Sequence, residues 1–161
     1  MNNRDPEAAA KLAVEALRIS KQRGVLLAGW GGLAKIPLPD NIYMTDSAPH
    51  DWLFPRMATV IHHCGAGTTG AGLRAGVPAV AVPFFADQLF WACRLHELGV
   101  APKPILRKKL TAENLARAIH EAVTNKEIKI RSEELGKKIR AENGVGVAVE
   151  IAERYFDEIR K

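Results

Sequence analysis

Between Val60 and Gln88 the chain reads VIHHCGAGTTGAGLRAGVPAVAVPFFADQ, which gathers histidine, hydroxyl, small and carboxamide side chains into one short stretch. The run Cys64-Gly65-Ala66-Gly67-Thr68-Thr69 lies between an apolar segment of strand character, Val60-Ile61-His62, and a segment of helix character, Thr68 to Ala75. Small residues between a strand and a helix let the backbone approach a bound anion, with free amide N–H groups and the positive end of the helix dipole aimed at it. The ligand expected there is a phosphate. Thr68 and Thr69 fit the cap and first turn of the helix, where a hydroxyl can satisfy an orphan N–H or meet a phosphate oxygen. His63 can donate to the same anion. The helix is expected to stop at Gly76, and Ala79-Val80-Ala81-Val82 reads as a buried parallel strand. Pro83-Phe84-Phe85-Ala86-Asp87-Gln88 then falls at the carboxyl end of that strand, the edge where open α/β sheets bind ligands.

The flanking elements must hold this stretch in place. Glu7 to Arg23 carries a helical stripe of Ala8, Leu12, Ala16 and Ile19, with Asp5 as N-cap and Pro6 at the first position. Val25 to Ala28 reads as a buried strand, and Gly29-Trp30-Gly31-Gly32 as the turn at its carboxyl end. Trp30 could pack over a ligand or serve as a core or rim aromatic. Ile42-Tyr43-Met44 is a second strand, Thr45 to Pro49 the loop after it, and Asp51 to Met57 a helical turn that packs Trp52, Leu53 and Phe54 into the core. Beyond the central stretch, Gln88 to Leu98 is a helix burying Phe90, Trp91, Leu95 and Leu98, and Val100-Ala101 a last short strand. Leu110 to Thr124 is an amphipathic helix capped by Thr111. Glu127 to Glu142 is charged nearly all round and reads as a solvated helix. Val145 to Ile159 closes the chain with Ala148, Ala152, Tyr155 and Ile159 on one stripe. Strands and helices alternate, so the fold class is α/β with a doubly wound, Rossmann-like parallel sheet flanked by helices.

Composition narrows the function classes. The 161 residues are 47% hydrophobic with a formal charge of +5, which fits one globular domain and excludes a disordered chain. No aromatic-interleaved basic patch accompanies the positive charge, so no nucleic-acid partner is expected; an anionic nucleotide or an anionic membrane surface fits it better. Cys64 and Cys93 read as free thiols of a reducing, cytoplasmic compartment. A Cys64 thiolate nucleophile would need an oriented third group, and none is evident. His50-Asp51 and His62-His63 lack the spacing of a defined metal site, so no metal is expected. His96 and His120 are expected to face solvent.

His62 to Thr69, Arg74-Ala75-Gly76-Val77-Pro78 and Pro83 to Gln88 resemble the donor-binding box of nucleotide-sugar-dependent glycosyltransferases with two Rossmann-like domains, the GT-B type. The upstream Ala48-Pro49-His50-Asp51-Trp52-Leu53-Phe54-Pro55 and Gly29-Trp30-Gly31-Gly32-Leu33 are similar to the sterol 3-beta-glucosyltransferase branch and its relatives among antibiotic glycosyltransferases. The resemblance implies that residues 1–161 are the C-terminal, nucleotide-sugar donor-binding domain, with the sheet's first strand and the acceptor-binding N-terminal domain outside this sequence. It further implies that His63 and the backbone of Gly65, Ala66, Gly67, Thr68 and Thr69 hold the diphosphate of a UDP-sugar, and that Asp87 and Gln88 bond sugar hydroxyls. A carboxylate accepts from two hydroxyls and an amide both donates and accepts, chemistry suited to fixing one hexose orientation. Plant members stack a tryptophan on uracil; the matching position here is Thr45, so uridine contacts fall to Ser47, Ala48 and Trp30.

Plainer roles stand beside these. His63 could bond only turn backbone, and Asp87 could be a simple helix N-cap; the surrounding motif favours phosphate and sugar binding. The implied activity is transfer of a hexose, glucose by resemblance, from UDP to a lipid, sterol-like or other small-molecule hydroxyl with inversion. The general base would come from the acceptor domain or a partner chain, the UDP-sugar is a substrate, and no cofactor is needed. Alternatives are a non-catalytic nucleotide-sugar-binding subunit, an epimerase acting on UDP-sugars, and an inactive fragment.

Overall fold

The computed structural model describes residues 5–29 and 33–160. The segment Pro6–Ser20 forms α1, with the Asp5 carboxylate accepting from the Ala8 N–H at 2.9 Å and Pro6 in the first turn. It ends three residues before the expected boundary because Lys21 turns left-handed, φ 55°, and caps it. Two parallel ladders follow. Gly24–Leu27 (β1) pairs with Ile42–Thr45 (β2), and Val60–His62 (β3) pairs with Ala79–Ala81 (β4). Among the described residues no strand joins the two ladders. β1 is less buried than its apolar sequence suggests, and Val25 is exposed.

Between the ladders run His50–Leu53 (α2) and a 3-10 turn at Phe54–Arg56. Leu53 and Phe54 are buried as expected, but Trp52 is 55% exposed, with the Arg56 guanidinium 4.6 Å above its ring. Ala66–Ala75 (α3) crosses from β3 to β4, Gln88–Glu97 (α4) follows β4, and Ala112–Thr124 (α5), Lys126–Ala141 (α6) and Gly144–Ile159 (α7) complete the chain. In α4 the buried residues are Gln88, Ala92 and Leu95, whereas Phe90 is exposed, so the inward face is rotated from the expected one. Val100 and Ala101 are buried beside β4, with Val100 O accepting from Ala79 N–H at 3.1 Å, yet they form no strand. The segment nevertheless stays beside β4, with Ile105 N–H donating to Ala81 O at 2.9 Å.

β4 shows why the core has two sides. Val80 points into a cluster with Leu26, Ile42, Leu115 and Ile119 beneath α1 and α5, while Ala79 and Ala81 point into a second cluster with Ala92, Leu95 and Val100 beneath α4. Successive strand residues face opposite sides, so helices cover both faces of β4. α6 is not the all-round solvated helix expected from its charge: Ile128, Ser132 and Gly136 are buried, and it packs on α3. Among the described residues no helix is long and apolar enough to cross a membrane.

α5 carries a full capping box. The Thr111 hydroxyl accepts from Asn114 N–H at 3.2 Å, and Asn114 Oδ1 accepts from Thr111 N–H at 3.0 Å. Because α5 closes the larger core cluster, Thr111→Val is expected to lower stability by about 1 kcal/mol. Thermal melting should show a fall of roughly 2–4 °C.

Candidate donor-binding site

α3 begins two residues earlier than its sequence suggests. Gly65, at φ −64° and ψ 143°, is its N-cap, and Thr69 N–H to Gly65 O, 2.9 Å, is its first backbone bond. Thr68 and Thr69 therefore sit inside the first turn rather than at the cap. No side chain caps this end, so the N–H groups of Ala66, Gly67 and Thr68 precede the first helical bond. Ala66 and Gly67 are exposed, and a Cβ added at Gly67 would meet nothing within 4 Å. These amides lie at the positive end of a ten-residue helix.

The chain reaches this turn through a left-handed residue that is not glycine. Cys64 has φ 66°, and its side chain is fully buried. Burial pushes its thiol up to about 12, so it is a neutral packing group rather than a nucleophile. His63, half-buried, folds its ring back over Gly65: a Cβ there would lie 2.7 Å from His63 Nε2. A side chain at residue 65 would displace the imidazole. The ring also meets Phe84 edge-on, with centroids 6.4 Å apart. Burial holds the His63 pKa below its ordinary value, and the Asp87 carboxylate opposes that shift.

The loop after β4 supplies Asp87 and Gln88. Asp87 is exposed and makes no cap bond to α4; its Oδ2 accepts from the Trp91 indole N–H at 3.1 Å. Gln88 is 5% exposed, and its Oε1 accepts from the N–H groups of Phe84, 2.8 Å, and Phe85, 3.2 Å. This amide shapes the loop that carries Asp87. Ala86, at φ 53°, makes the turn between them.

On the other ladder, Thr45 Oγ1 donates to Ser47 O at 3.3 Å, and Gly29 N–H donates to Asp46 O at 3.0 Å. Ser47 is exposed, and Ala48 packs on the cluster of Leu53, Phe54 and Val60. Trp30 lies outside the described residues. Sequence reasoning passed over two neighbours of the site. Phe84 touches His63 and receives Gln88, and the Arg107 guanidinium lies 5.6 Å over the Phe84 ring. Phe84 was visible in the run before Asp87-Gln88, but nothing in the basic turn at Arg107 signals its partner. His96 and His120 are exposed, as expected, although His96 Nδ1 also lies 3.1 Å from Ala101 O.

Among proteins of known sequence and structure, residues 31–154 match the family described as the erythromycin biosynthesis protein CIII-like, C-terminal domain. A sterol 3-beta-glucosyltransferase of Arabidopsis thaliana is 42% identical over 154 residues, covering 94% of this chain and 25% of the relative. One from Neosartorya fischeri is 41% identical over 161 residues, covering 95% of this chain and 11% of the relative. The chain thus spans a quarter or less of these two curated relatives. The glycotransferase of kitacinnamycin superposes with a TM-score of 0.84 at 26% identity, covering 96% of this chain and 40% of that one. The glycosyltransferase VinC, solved in complex with DTDP, superposes with a TM-score of 0.73 at 26% identity, covering 89% of this chain and 37% of that one.

Proposed function

The chain belongs to the erythromycin biosynthesis protein CIII-like C-terminal domain family, and from that membership we propose that it is the donor-binding domain of a UDP-sugar-dependent glycosyltransferase. One observation carries the reading: the uncapped N-terminus of α3 opens beside His63, whose ring lies over Gly65 and meets Phe84 on the loop that carries Asp87. The diphosphate lies over the amides of Ala66, Gly67 and Thr68, with His63 donating to it. Asp87 meets the sugar hydroxyls, and Gln88 holds the loop from beneath. Ser47 and Ala48 border the uridine.

In the reaction proposed, a base on the acceptor-binding domain or partner chain removes the proton of an acceptor hydroxyl. The oxygen attacks the anomeric carbon from the face opposite UDP, the bond from that carbon to the diphosphate oxygen breaks, and the hexose inverts. Charge grows on the leaving diphosphate, and the α3 amides, the helix dipole and His63 receive it. Glucose as the hexose and a sterol-like lipid as the acceptor are part of this reading; they agree with the names of the curated relatives. A cytoplasmic enzyme resting at a membrane surface fits a lipid acceptor and the chain's two free thiols.

Calorimetric titration of the 161-residue chain with UDP and UDP-glucose tests the proposal. Hydrogen bonds to a charged group contribute about 1.5–3 kcal/mol, so His63→Ala should weaken UDP roughly 10- to 100-fold. Burial holds His63 largely neutral at pH 7, and a bound dianion raises its pKa. Affinity should therefore rise as pH falls from 7 toward 6, and His63→Ala should flatten that rise. A chain that is folded by circular dichroism and binds neither ligand would sink the proposal.

A further inference from the structure

Two buried polar side chains lie behind the turn between β3 and α3. His62 is 9% exposed and Thr69 2% exposed, and among the described residues neither His62 Nε2 nor Thr69 Oγ1 meets a hydrogen-bond partner. Both face the seam between the strand and the helix. Val60 packs on Ala71 and Ala75 of α3, and His62, two residues further along the strand, projects to the same side. Thr69 and Gly72 are the buried residues of α3, three apart and so neighbours on one face of the helix.

Gly72 supplies space between them. Apart from the adjoining helix, a Cβ built on Gly72 would find only His62 Nε2 within 4 Å, at 3.9 Å. The room there is that of a methyl group, close to what one buried water needs. The two polar atoms are also complementary. His62 Nδ1 accepts the Cys64 N–H at 3.1 Å, so the ring carries its proton on Nε2, a donor. The Thr69 N–H is already given to Gly65 O at 2.9 Å, and its hydroxyl can accept as well as donate. Leaving both groups unpaired in this seam is costly, whereas a water that accepts from Nε2–H and donates to Oγ1 satisfies both.

We propose that His62 and Thr69 hold an internal water over Gly72, and that this water fixes the diphosphate turn from behind. By accepting from Nε2–H it keeps the imidazole in the tautomer and rotation that leave Nδ1 for the Cys64 N–H. That bond holds the left-handed Cys64, φ 66°, through which the chain enters Gly65 and the first amides of α3. His62 and Thr69 are then positioning residues, and neither side chain touches the donor. The water and its hold on the turn stand without any ligand; only their bearing on UDP rests on the donor-binding reading.

Nuclear magnetic resonance of the 161-residue chain tests the proposal. Near neutral pH the unaltered chain should show His62 protonated on Nε2, with a rotating-frame cross-peak from that proton to water of the sign that marks a bound molecule rather than proton exchange. Thr69→Val should remove the cross-peak and speed amide exchange of Cys64 about tenfold or more, and Thr69→Ser should restore both. Gly72→Ala places a methyl group where the water sits. Helix propensity alone would raise its melting temperature, but expelling the water should lower it by roughly 2–6 °C. UDP should bind Thr69→Val roughly three- to tenfold more weakly, with recovery in Thr69→Ser. Failure of the unaltered chain to bind UDP would overturn the donor-binding reading alone, because the spectra decide the water without ligand. An unaltered chain that lacks the cross-peak, a Gly72→Ala chain that keeps it or melts higher, or Cys64 exchange indifferent to Thr69→Val would each overturn the proposal, as would unweakened UDP binding by Thr69→Val.

Discussion

Lowering the pH from 7 to 4 is expected to remove about 3 kcal/mol of folding stability through His62 alone. The side chain is 9% exposed, and its Nδ1 accepts the Cys64 N–H at 3.1 Å, which requires that nitrogen to be unprotonated. Among the described residues, Nε2 meets no hydrogen-bond partner. Burial first, then the neighbouring His63 and His50, pushes its pKa from 6.5 down to about 4. The sign follows from which state takes the proton. Below pH 6.5 the unfolded chain protonates His62 while the folded chain does not, so stability is complete above that value and falls between 6.5 and about 4. Each unit of difference is worth about 1.36 kcal/mol, which sets the size of the loss. For a domain of this size that is a fall in melting temperature of roughly 6–12 °C. Urea unfolding across this pH range should show the loss in the unaltered chain and a flatter profile in His62→Asn, whose amide oxygen can still accept the Cys64 N–H. Equal slopes in both would clear His62 of the effect. The consequence reaches the site, because protonating Nδ1 breaks the bond that positions the turn between β3 and α3.

The central stretch was the most legible part of the sequence, and the reason is local. Glycines at the turn, Gly76 at the helix end and an apolar run behind Pro78 each restrict the backbone by themselves, so β3, α3 and β4 could be read without their neighbours. The caps at Asp5 and Thr111 were legible for the same reason. What failed depended on tertiary context. Trp52 and Phe90 were assigned inward on apolar character, but the phase of a short helix is set by the surface it meets. α6 hides a buried stripe behind its charges because glycine and serine, which carry no apolar signal, form the contact. Around the candidate site, the sequence named residues but not their partners: nothing in it places the Gln88 oxygen on the Phe84 and Phe85 amides, or Arg107 over Phe84. Nor does it show that Cys64 holds a left-handed conformation usually left to glycine.

The same contact between α3 and α6 yields the second large effect: Gly136→Val should cost about 3 kcal/mol, against the direction that helix propensity alone gives. A glycine inside a helix is worth up to about 1 kcal/mol less than alanine, so adding a side chain at this α6 position would ordinarily be a gain. Here a Cβ would fall 2.6 Å from Gly76 Cα and 2.9 Å from Gly76 N, both backbone atoms. Gly76 cannot withdraw easily. It is the left-handed C-cap of α3, φ 75°, and its N–H bonds Gly72 O and Leu73 O. The helices are further tied at this point by Arg140 donating to Arg74 O and Arg74 donating to Ile139 O. Relief of the clash must therefore move α3 as a body, and its other end carries the Gly65 to Thr68 amides. Gly70→Ala, on the outer side of α3 where a Cβ meets nothing within 4 Å, should instead gain up to about 1 kcal/mol. Chemical denaturation of both variants decides the matter. Opposite signs establish backbone contact between the helices as the feature that fixes α3, whereas a stabilising change at Gly136 would mean that the helices can separate without cost.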